Sequence, residues 1–393
     1  MIRLEALNAM HGDCLIVRYT HDTGEALWVI DGGPGLSEWA GQSVTTWSEF
    51  LLPRLEEISE ERPVPIDLGM VSHIDDDHIN GMEKIMNDLT SVRVDNPARV
   101  KFLKFWFNSF ERLVDHQRAS TGETQGVETA GLPYMLAGQV DDQDGDAVIQ
   151  SIPQGISLSS DLKTLKLQDN PPFKGTIVAT KREKPIKIKG GAEVTILGPL
   201  EKRLEALRKK WIAALEKKDE KVKEAEIASL FLPDSKLDTA IPNLSSIVML
   251  VSIRGKTMLL TGDAQGKDVV EAWKAMEMPD GPQHVHLLKV PHHGSNRNNP
   301  EIFLRFFPAD HYVFSANGKY DNPDPETVEA VVMVNKGRQF KLHFTNENVK
   351  WTRSYKGVNT LPELLDVLKE EYGGDWCWAF RKTGERFVAV ELE

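Results

Sequence analysis

Three short apolar runs in this chain each end on a loop crowded with imidazoles or carboxylates, and that pattern constrains the fold more than any other feature. Residues Ile66-Asp67-Leu68-Gly69-Met70-Val71 lead into Ser72-His73-Ile74-Asp75-Asp76-Asp77-His78, which sets two imidazoles and three carboxylates within six residues. Leu259-Leu260 leads into Thr261-Gly262-Asp263-Ala264, and Leu287-Leu288-Lys289-Val290 leads into Pro291-His292-His293-Gly294-Ser295. A further β-prone run, 26–30, stops at Asp31-Gly32-Gly33-Pro34-Gly35, where glycines and proline turn the backbone sharply and leave Asp31 at a strand end. Layered α/β folds gather their sites at such carboxyl ends. Alternate residues of an extended loop face one way, so His73 and Asp75 can reach one ion while Asp77 and His78 reach a second. Taken alone, the 72–78 run also fits an acidic helix N-terminus with incidental histidines. Three ligand-bearing strand ends together are hard to explain on structural grounds.

The rest of the chain reads as alternating strands and helices. Runs 15–19 and 26–30 form a hairpin across His21-Asp22-Thr23-Gly24, and 46–58 carries Trp47, Phe50, Leu51, Leu55 and Ile58 at helical spacing. A helix over 81–89 should follow the 72–78 loop. The aromatic run 102–110 leads into a polar stretch, 119–148, that looks like a loop or flap. Over 201–229 a charged helix shows one apolar stripe, Leu204, Leu207, Trp211 and Leu215, and its acidic and basic residues nearly cancel, which favours a solvated, stripe-packed helix over one that binds nucleic acid. Strands are expected at 246–253, 256–260 and 286–290, helices at 325–335 and 361–372, and a closing hairpin from 376–380 and 386–392.

Composition narrows the partners. The 393 residues exceed what one simple core absorbs, about 250–300 residues, so a large domain with insertions or two modest domains is expected. A net charge of −12 gives no global field that would draw the chain to nucleic acid, so a polyanion must be met by a local patch or by metal charge. The start lacks a basic segment followed by an apolar stretch, and no run approaches the roughly 18 apolar residues of a membrane span; a cytoplasmic protein without membrane contact is expected. Cys14 and Cys377 lie far apart in apolar runs and should be buried and reduced, which leaves metal ligation to histidines and carboxylates.

In chain order, Gly12-Asp13-Cys14, Ile30-Asp31-Gly32-Gly33, the residues from Ser72 to Gly81, Asn243 with Ser246, Leu260-Thr261-Gly262-Asp263-Ala264, and Lys289 to Ser295 resemble the motifs of the metallo-β-lactamase superfamily, and within it the competence-protein ComEC type of domain. The likeness spans about residues 10–320. It implies an α+β fold, a four-layer αβ/βα metallo-β-lactamase sandwich, as a single domain over 1–393 with a helical insertion at about 98–235 and a C-terminal extension at about 340–393. It implies two divalent ions, zinc or manganese: His73 and Asp75 on the first, Asp77 and His78 on the second, Asp263 bridging. One of His292 and His293 would complete the second ion's shell and the other would assist proton transfer, while Asp31 would orient the metal loop. Two departures stand out. Asp75 replaces the superfamily's usual histidine, and no separate histidine offers itself to the first ion, because Asn243 and Ser246 occupy that stretch; the first site is expected to be a ligand short and weakly occupied. Asn322 stands where the ComEC pattern usually has a histidine before proline, and it can donate a hydrogen bond to phosphate but cannot act as an acid.

The activity implied is hydrolysis of a phosphodiester, in a nucleic acid or nucleotide, by metal-activated hydroxide, with Asp77, His292 and His293 as catalytic residues. Ser295, Asn296, Arg297 and Asn298 follow the paired histidines with phosphate-binding chemistry, as does Asn322. The alternatives are a small-molecule esterase similar to phosphorylcholine esterases and a non-catalytic, metal-stabilised regulatory module. A partner protein or a second copy could dock through the helical insertion.

Overall fold

Along the N-terminal strands, side chains alternate between two separate apolar cores, and this alternation is what layers the molecule. In β1 (Ile2–Leu7), β2 (Leu15–His21) and β3 (Gly24–Ile30), the residues Ile2, Leu4, Leu15, Val17, Tyr19, Ala26 and Trp28 line one core while Leu7, Ile16, Leu27 and Val29 line another. The first core is shared with a second sheet: Val194, Ile196, Met249, Val251, Met258, Leu260 and Leu287 belong to it. The outer face of the first sheet is covered by α1 (Leu52–Ile58), α2 (Asp76–Thr90) and α3 (Ala147–Thr164), through Leu55, Ile79, Met82, Ile85, Ile156 and Leu162. A third core buries Val269, Trp273, Phe303, Val328, Leu361 and Leu364 of the later helices against the far side of the second sheet. The result is a four-layer αβ/βα sandwich, an α+β architecture.

The computed structural model describes residues 1–35, 37–39, 42–109, 112–113, 147–173, 175–180, 184–216 and 240–393. The first sheet continues with β4 (Leu68–Met70) and β5 (Phe105–Trp106). The second is built from β6 (Ile186–Lys187), β7 (Glu193–Gly198), β8 (Val248–Ile253), β9 (Lys256–Leu260), β10 (Val285–Lys289), β11 (Ala309–Phe314), β12 (Lys341–Phe344) and β13 (Cys377–Phe380), in that spatial order. The last strand, β14 (Phe387–Glu391), returns to the first sheet, whose order is β14-β1-β2-β3-β4-β5. Strands β3, β4 and β5 are mutually parallel, as are β9 to β13.

Several expectations change. The stretch 98–235 is not wholly an insertion, since β5 belongs to the first sheet and β6 and β7 to the second. Nor is 340–393 an appendage, because it supplies strands to both sheets. Its last two strands form no hairpin: β13 pairs in parallel with β12, and β14 pairs antiparallel with β1. Cys377, on the outermost strand, is exposed, whereas Cys14 is buried. The 46–58 helix opens with a π-helical turn, Trp47–Leu51. Of the charged helix, α4 (Glu201–Glu216) is described; Leu204 and Leu207 are buried in the core, and Arg203 reaches Asp268 at 2.6 Å, so this half is docked on the body. The remainder of the 201–229 helix and nearly all of the polar stretch 119–148 lie outside the described residues. Among the described residues no helix is long and apolar enough to cross a membrane.

Candidate metal centre

The loops that follow β3, β4, β9, β10 and β11 meet along one edge of the two sheets. Close backbone packing brings them there: a Cβ on Gly81 would lie 1.9 Å from the Gly32 carbonyl oxygen, and one on Gly12 would lie 2.0 Å from that of Asp77. Only glycine permits these approaches. The helix after β4 begins earlier than the sequence pattern suggests. Asp75 is the N-cap, its carbonyl accepting the His78 and Ile79 amides at 2.9 and 3.0 Å, and Asp76 to His78 form the first turn of α2. The acidic helix start and the ligand loop are therefore one structure, with carboxylates at the positive end of the helix dipole. On the opposite sheet His292 and His293 both take left-handed backbone, φ 47° and 53°, ahead of Gly294 at 90°. Each non-glycine residue held there costs about 1–3 kcal/mol, and such strain collects at working sites. The turn is pinned by the His292 amide on the Gly262 carbonyl at 3.1 Å and by the Asn299 amide on the Pro291 and Ser295 carbonyls at 2.8 and 2.7 Å.

The four histidines are oriented alike. Each Nδ1 meets an acceptor: His73 the Ser72 hydroxyl at 3.0 Å, His78 the Asp31 carboxylate at 2.9 Å, His292 the Asn298 carbonyl oxygen at 2.8 Å, and His293 the Ser315 backbone carbonyl at 2.8 Å. Two donations settle the direction of the less obvious pairs. Ser72 gives its hydroxyl proton to Asp31 at 2.7 Å, and the Asn298 amide nitrogen donates to the Asp263 carbonyl at 2.9 Å, so both present an oxygen lone pair to the imidazole. In the neutral ring with its proton on Nδ1, each Nε2 is the nitrogen able to ligate a metal. All four turn toward Asp263: the His78 Nε2 is 3.2 Å from Oδ1, and those of His293, His292 and His73 are 3.4, 3.6 and 4.0 Å from Oδ2. Asp77 lies 3.2 Å from the His293 Nε2, and Asp75 lies 3.9 Å from that of His73.

This geometry is unfavourable without a cation. The Nε2 atoms of His78 and His293 face each other at 3.3 Å, and the His73 Nε2 and one Asp75 oxygen are buried without a hydrogen-bond partner. Each buried, unsatisfied polar atom costs about 1–3 kcal/mol. The electrostatics agree. Burial opposes charge on His78 and His293, yet Asp263 and neighbouring carboxylates outweigh it and hold both well above the ordinary imidazole range. Burial drives the Asp75 carboxyl up to about 8, with repulsion from Asp77 and Asp263 adding to it, and drives His73 down to about 3. The residues fit a divalent cation: without one, the pocket recruits protons in its place. The tightest group of ligand-type side chains among the described residues is Asp13, His78, Asp263 and His293, whose ligand atoms lie within 4.8 Å of one another. Asp13 sits behind this group rather than inside it. Its carboxylate meets the fully buried Lys289 at 2.6 Å and the Nδ1 side of His293 at 3.4 Å, so it steadies that ring from the rear.

Asp31 accepts the Ser72 amide and hydroxyl, both at 2.7 Å, as well as the His78 Nδ1, and so ties the 72–78 loop to the end of β3. Ser246 accepts the Asp263 amide at 3.2 Å, and the Asn243 side chain lies 3.4 Å from His292. The His292 and His73 Nε2 atoms both approach the same Asp263 oxygen, at 3.6 and 4.0 Å. Asn298, grouped with the phosphate-binding residues by sequence, is a buried brace between His292 and Asp263. Ser295 is buried as well, whereas Asn296 and Arg297 are exposed beyond the paired histidines. The Asn322 carbonyl closes a tight loop by accepting the Gly318 amide at 3.0 Å. Asp13, Lys289 and Ser315 were missed as site residues; Asp13 and Lys289 had a signal, since both stand inside quoted motifs.

The sequence matches no family model and no curated protein. Among solved structures, a mutant of CmlA beta-hydroxylase is similar over 100% of this chain and 54% of its own, with 12% identity and a TM-score of 0.36. A protein of unknown function from Enterococcus faecalis is similar over 98% of this chain and 77% of its own, with 11% identity and a TM-score of 0.30. The chain thus spans about half the length of the first of these.

Proposed function

We propose that the chain is a metal-dependent hydrolase that cleaves phosphodiester bonds at a pair of divalent ions, zinc or manganese. The observation that carries this reading is the convergence of four imidazole Nε2 atoms on the Asp263 carboxylate, with Asp75 and Asp77 on its two sides. His73, Asp75 and His292 would hold one ion, Asp77, His78 and His293 the other, and Asp263 both. Each position then has two imidazoles, one carboxylate of its own and a shared one, so neither is a ligand short. Two such ions supply an acidified water and brace the attacking and leaving oxygens of an in-line displacement.

The chain's own residues favour an anionic substrate. Asp75, Asp77 and Asp263 carry three negative charges against four from two divalent ions. A metal-bound hydroxide would cancel the one positive charge left over, so the two positions could take up a phosphodiester monoanion without net negative charge opposing it. The protein offers little competing nucleophile here: Cys14 is buried and its thiol held well above its usual range by burial, and the Ser72 hydroxyl is committed to Asp31. Asn296, Arg297 and Asn322 would contact the substrate beyond the ions, and a ComEC-like nuclease or nucleotide phosphodiesterase is the narrower form of the reading. The test is an assay of zinc- and manganese-loaded protein on bis(p-nitrophenyl) phosphate, single- and double-stranded DNA, and RNA. Metal-dependent cleavage of at least one is expected; all four left intact, in metal-loaded and folded protein, would overturn the reading.

A further inference from the structure

Three side chains that take no part in the ligand cluster stand together at its mouth. His11 immediately precedes Gly12, whose backbone lies against Asp77, so its half-buried imidazole borders the Asp77 side of the centre. Lys319 and Tyr320 come from the loop that follows β11. The Lys319 Nζ is 3.4 Å from the His11 Nε2 and 5.0 Å over the Tyr320 ring, and the His11 and Tyr320 rings meet edge to face at 5.6 Å. The loop is firmly built. The Asp321 amide donates to the Gly318 carbonyl at 3.0 Å, and the Asp321 carboxylate accepts the Thr352 amide and hydroxyl at 3.0 and 2.7 Å. On this fixed loop Tyr320 is nevertheless 65% exposed.

Two features need an explanation beyond packing. In a chain of net charge −12, Lys319 makes no ion pair with any carboxylate among the described residues. Its close companions are an imidazole and a ring face, and the half-buried Asp76 carboxylate acts on it only from beyond ion-pair distance, so its charge is held in place without being neutralised by contact. By contrast Lys289, the other lysine close to the centre, is fully buried on Asp13. A large aromatic side chain left open beside that uncommitted ammonium is the second feature. Stacking on an aromatic face and a cation on phosphate are the two contacts that hold a phosphorylated planar ring.

We propose that Lys319 and Tyr320 form a subsite for the part of the substrate flanking the scissile phosphate, the ammonium binding an anionic oxygen and the tyrosine stacking an attached planar ring. His11 is a positioning residue that acts through Lys319. The proposal rests on the reading of the neighbouring centre as a phosphodiester site, and it names that substrate's chemistry as a phosphate bearing a planar ring.

The experiment is calorimetric binding of phenyl phosphate, ethyl phosphate and inorganic phosphate to the zinc-loaded chain. Phenyl phosphate should bind about five- to tenfold more tightly than ethyl phosphate. Tyr320→Ala should abolish that preference and Tyr320→Phe retain it, while Lys319→Ala weakens both organic phosphates by a similar factor. His11→Ala should weaken binding in the parent chain and change nothing in a Lys319→Ala background, a coupling that a merely structural role would not produce. Equal binding of the two organic phosphates, a preference that survives Tyr320→Ala, or no binding of any probe would overturn the proposal. The two readings fail separately: ring preference without cleavage of any diester leaves the subsite standing and removes the reaction, whereas cleavage without ring preference does the reverse.

Discussion

Two of the places where the molecule buries carboxylates differ in what answers the charge. Glu5 is wholly buried in the first sheet, yet three arginines surround it: Arg54 at 2.6 Å, Arg3 at 2.7 Å and Arg18 at 3.7 Å. The cluster is complete within the chain. At the carboxyl ends of the strands, Asp75, Asp77 and Asp263 form ion pairs with no arginine or lysine among the described residues; they face four imidazoles, two of which point their Nε2 atoms at each other. Buried carboxylates alone therefore do not mark a functional site; carboxylates answered only by groups that a metal can displace protons from do. The first cluster contributes to stability only if all its members remain, and the second stores unfavourable energy until something from outside the chain enters it.

The contrast can be broken at either end. Asp77→Ala should lower kcat/KM on any diester the protein cleaves by about 10³-fold, the scale on which charge-stabilising groups act. Its cation-free form should lose stability to urea, because without a cation the His78 and His293 imidazoles outweigh burial and hold the Asp77 carboxyl below the usual carboxylate range. Activity lost with bound zinc unchanged would remove Asp77 from the ligand set. Glu5→Gln should act on stability alone: three buried guanidinium groups lose their counter-charge, which costs about 3–5 kcal/mol in chemical denaturation, while metal content and kcat per folded molecule stay unchanged. Asp31→Asn should weaken zinc affinity by about 10- to 100-fold in competition titrations, because Asp31 fixes both Ser72 and the His78 ring. The same contrast makes metal binding depend on pH. Without a cation His78 and His293 hold protons well above the ordinary range, so metal entry must expel them. Zinc affinity should thus rise with pH, by roughly tenfold per unit for each proton displaced, and a flat profile between about pH 6 and pH 8 would show that neither ring is protonated.

The gathering of imidazoles and carboxylates was legible because it is local. Two imidazoles and three carboxylates within six residues, directly after an apolar strand, need no tertiary information to be recognised. The same holds for Asp263 and the paired histidines. What could not be read is whatever depends on the two sheets meeting. That His292 approaches the same Asp263 oxygen as His73 depends on a left-handed turn on the opposite sheet, which sequence order does not display. Asp13 gains its role from Lys289, which stands far away in sequence. The C-terminal strands misled for a related reason. A short connection between two β-prone runs signals a hairpin, but here one run extends the second sheet and the other crosses to the first. Cys377 is exposed on account of that edge position. The four-layer fold was legible through the resemblance of the ordered motifs, whereas the alternation of β1 to β3 between two cores emerges only in the structure.

The central claim is that Asp263 joins two metal positions of equal ligand number. Equilibrium titration of the metal-free protein with zinc, followed by elemental analysis, tests it directly. The account predicts two ions per chain in the parent and one or none retained in Asp263→Ala. A single ion in the parent, or an unchanged stoichiometry in Asp263→Ala, would contradict it.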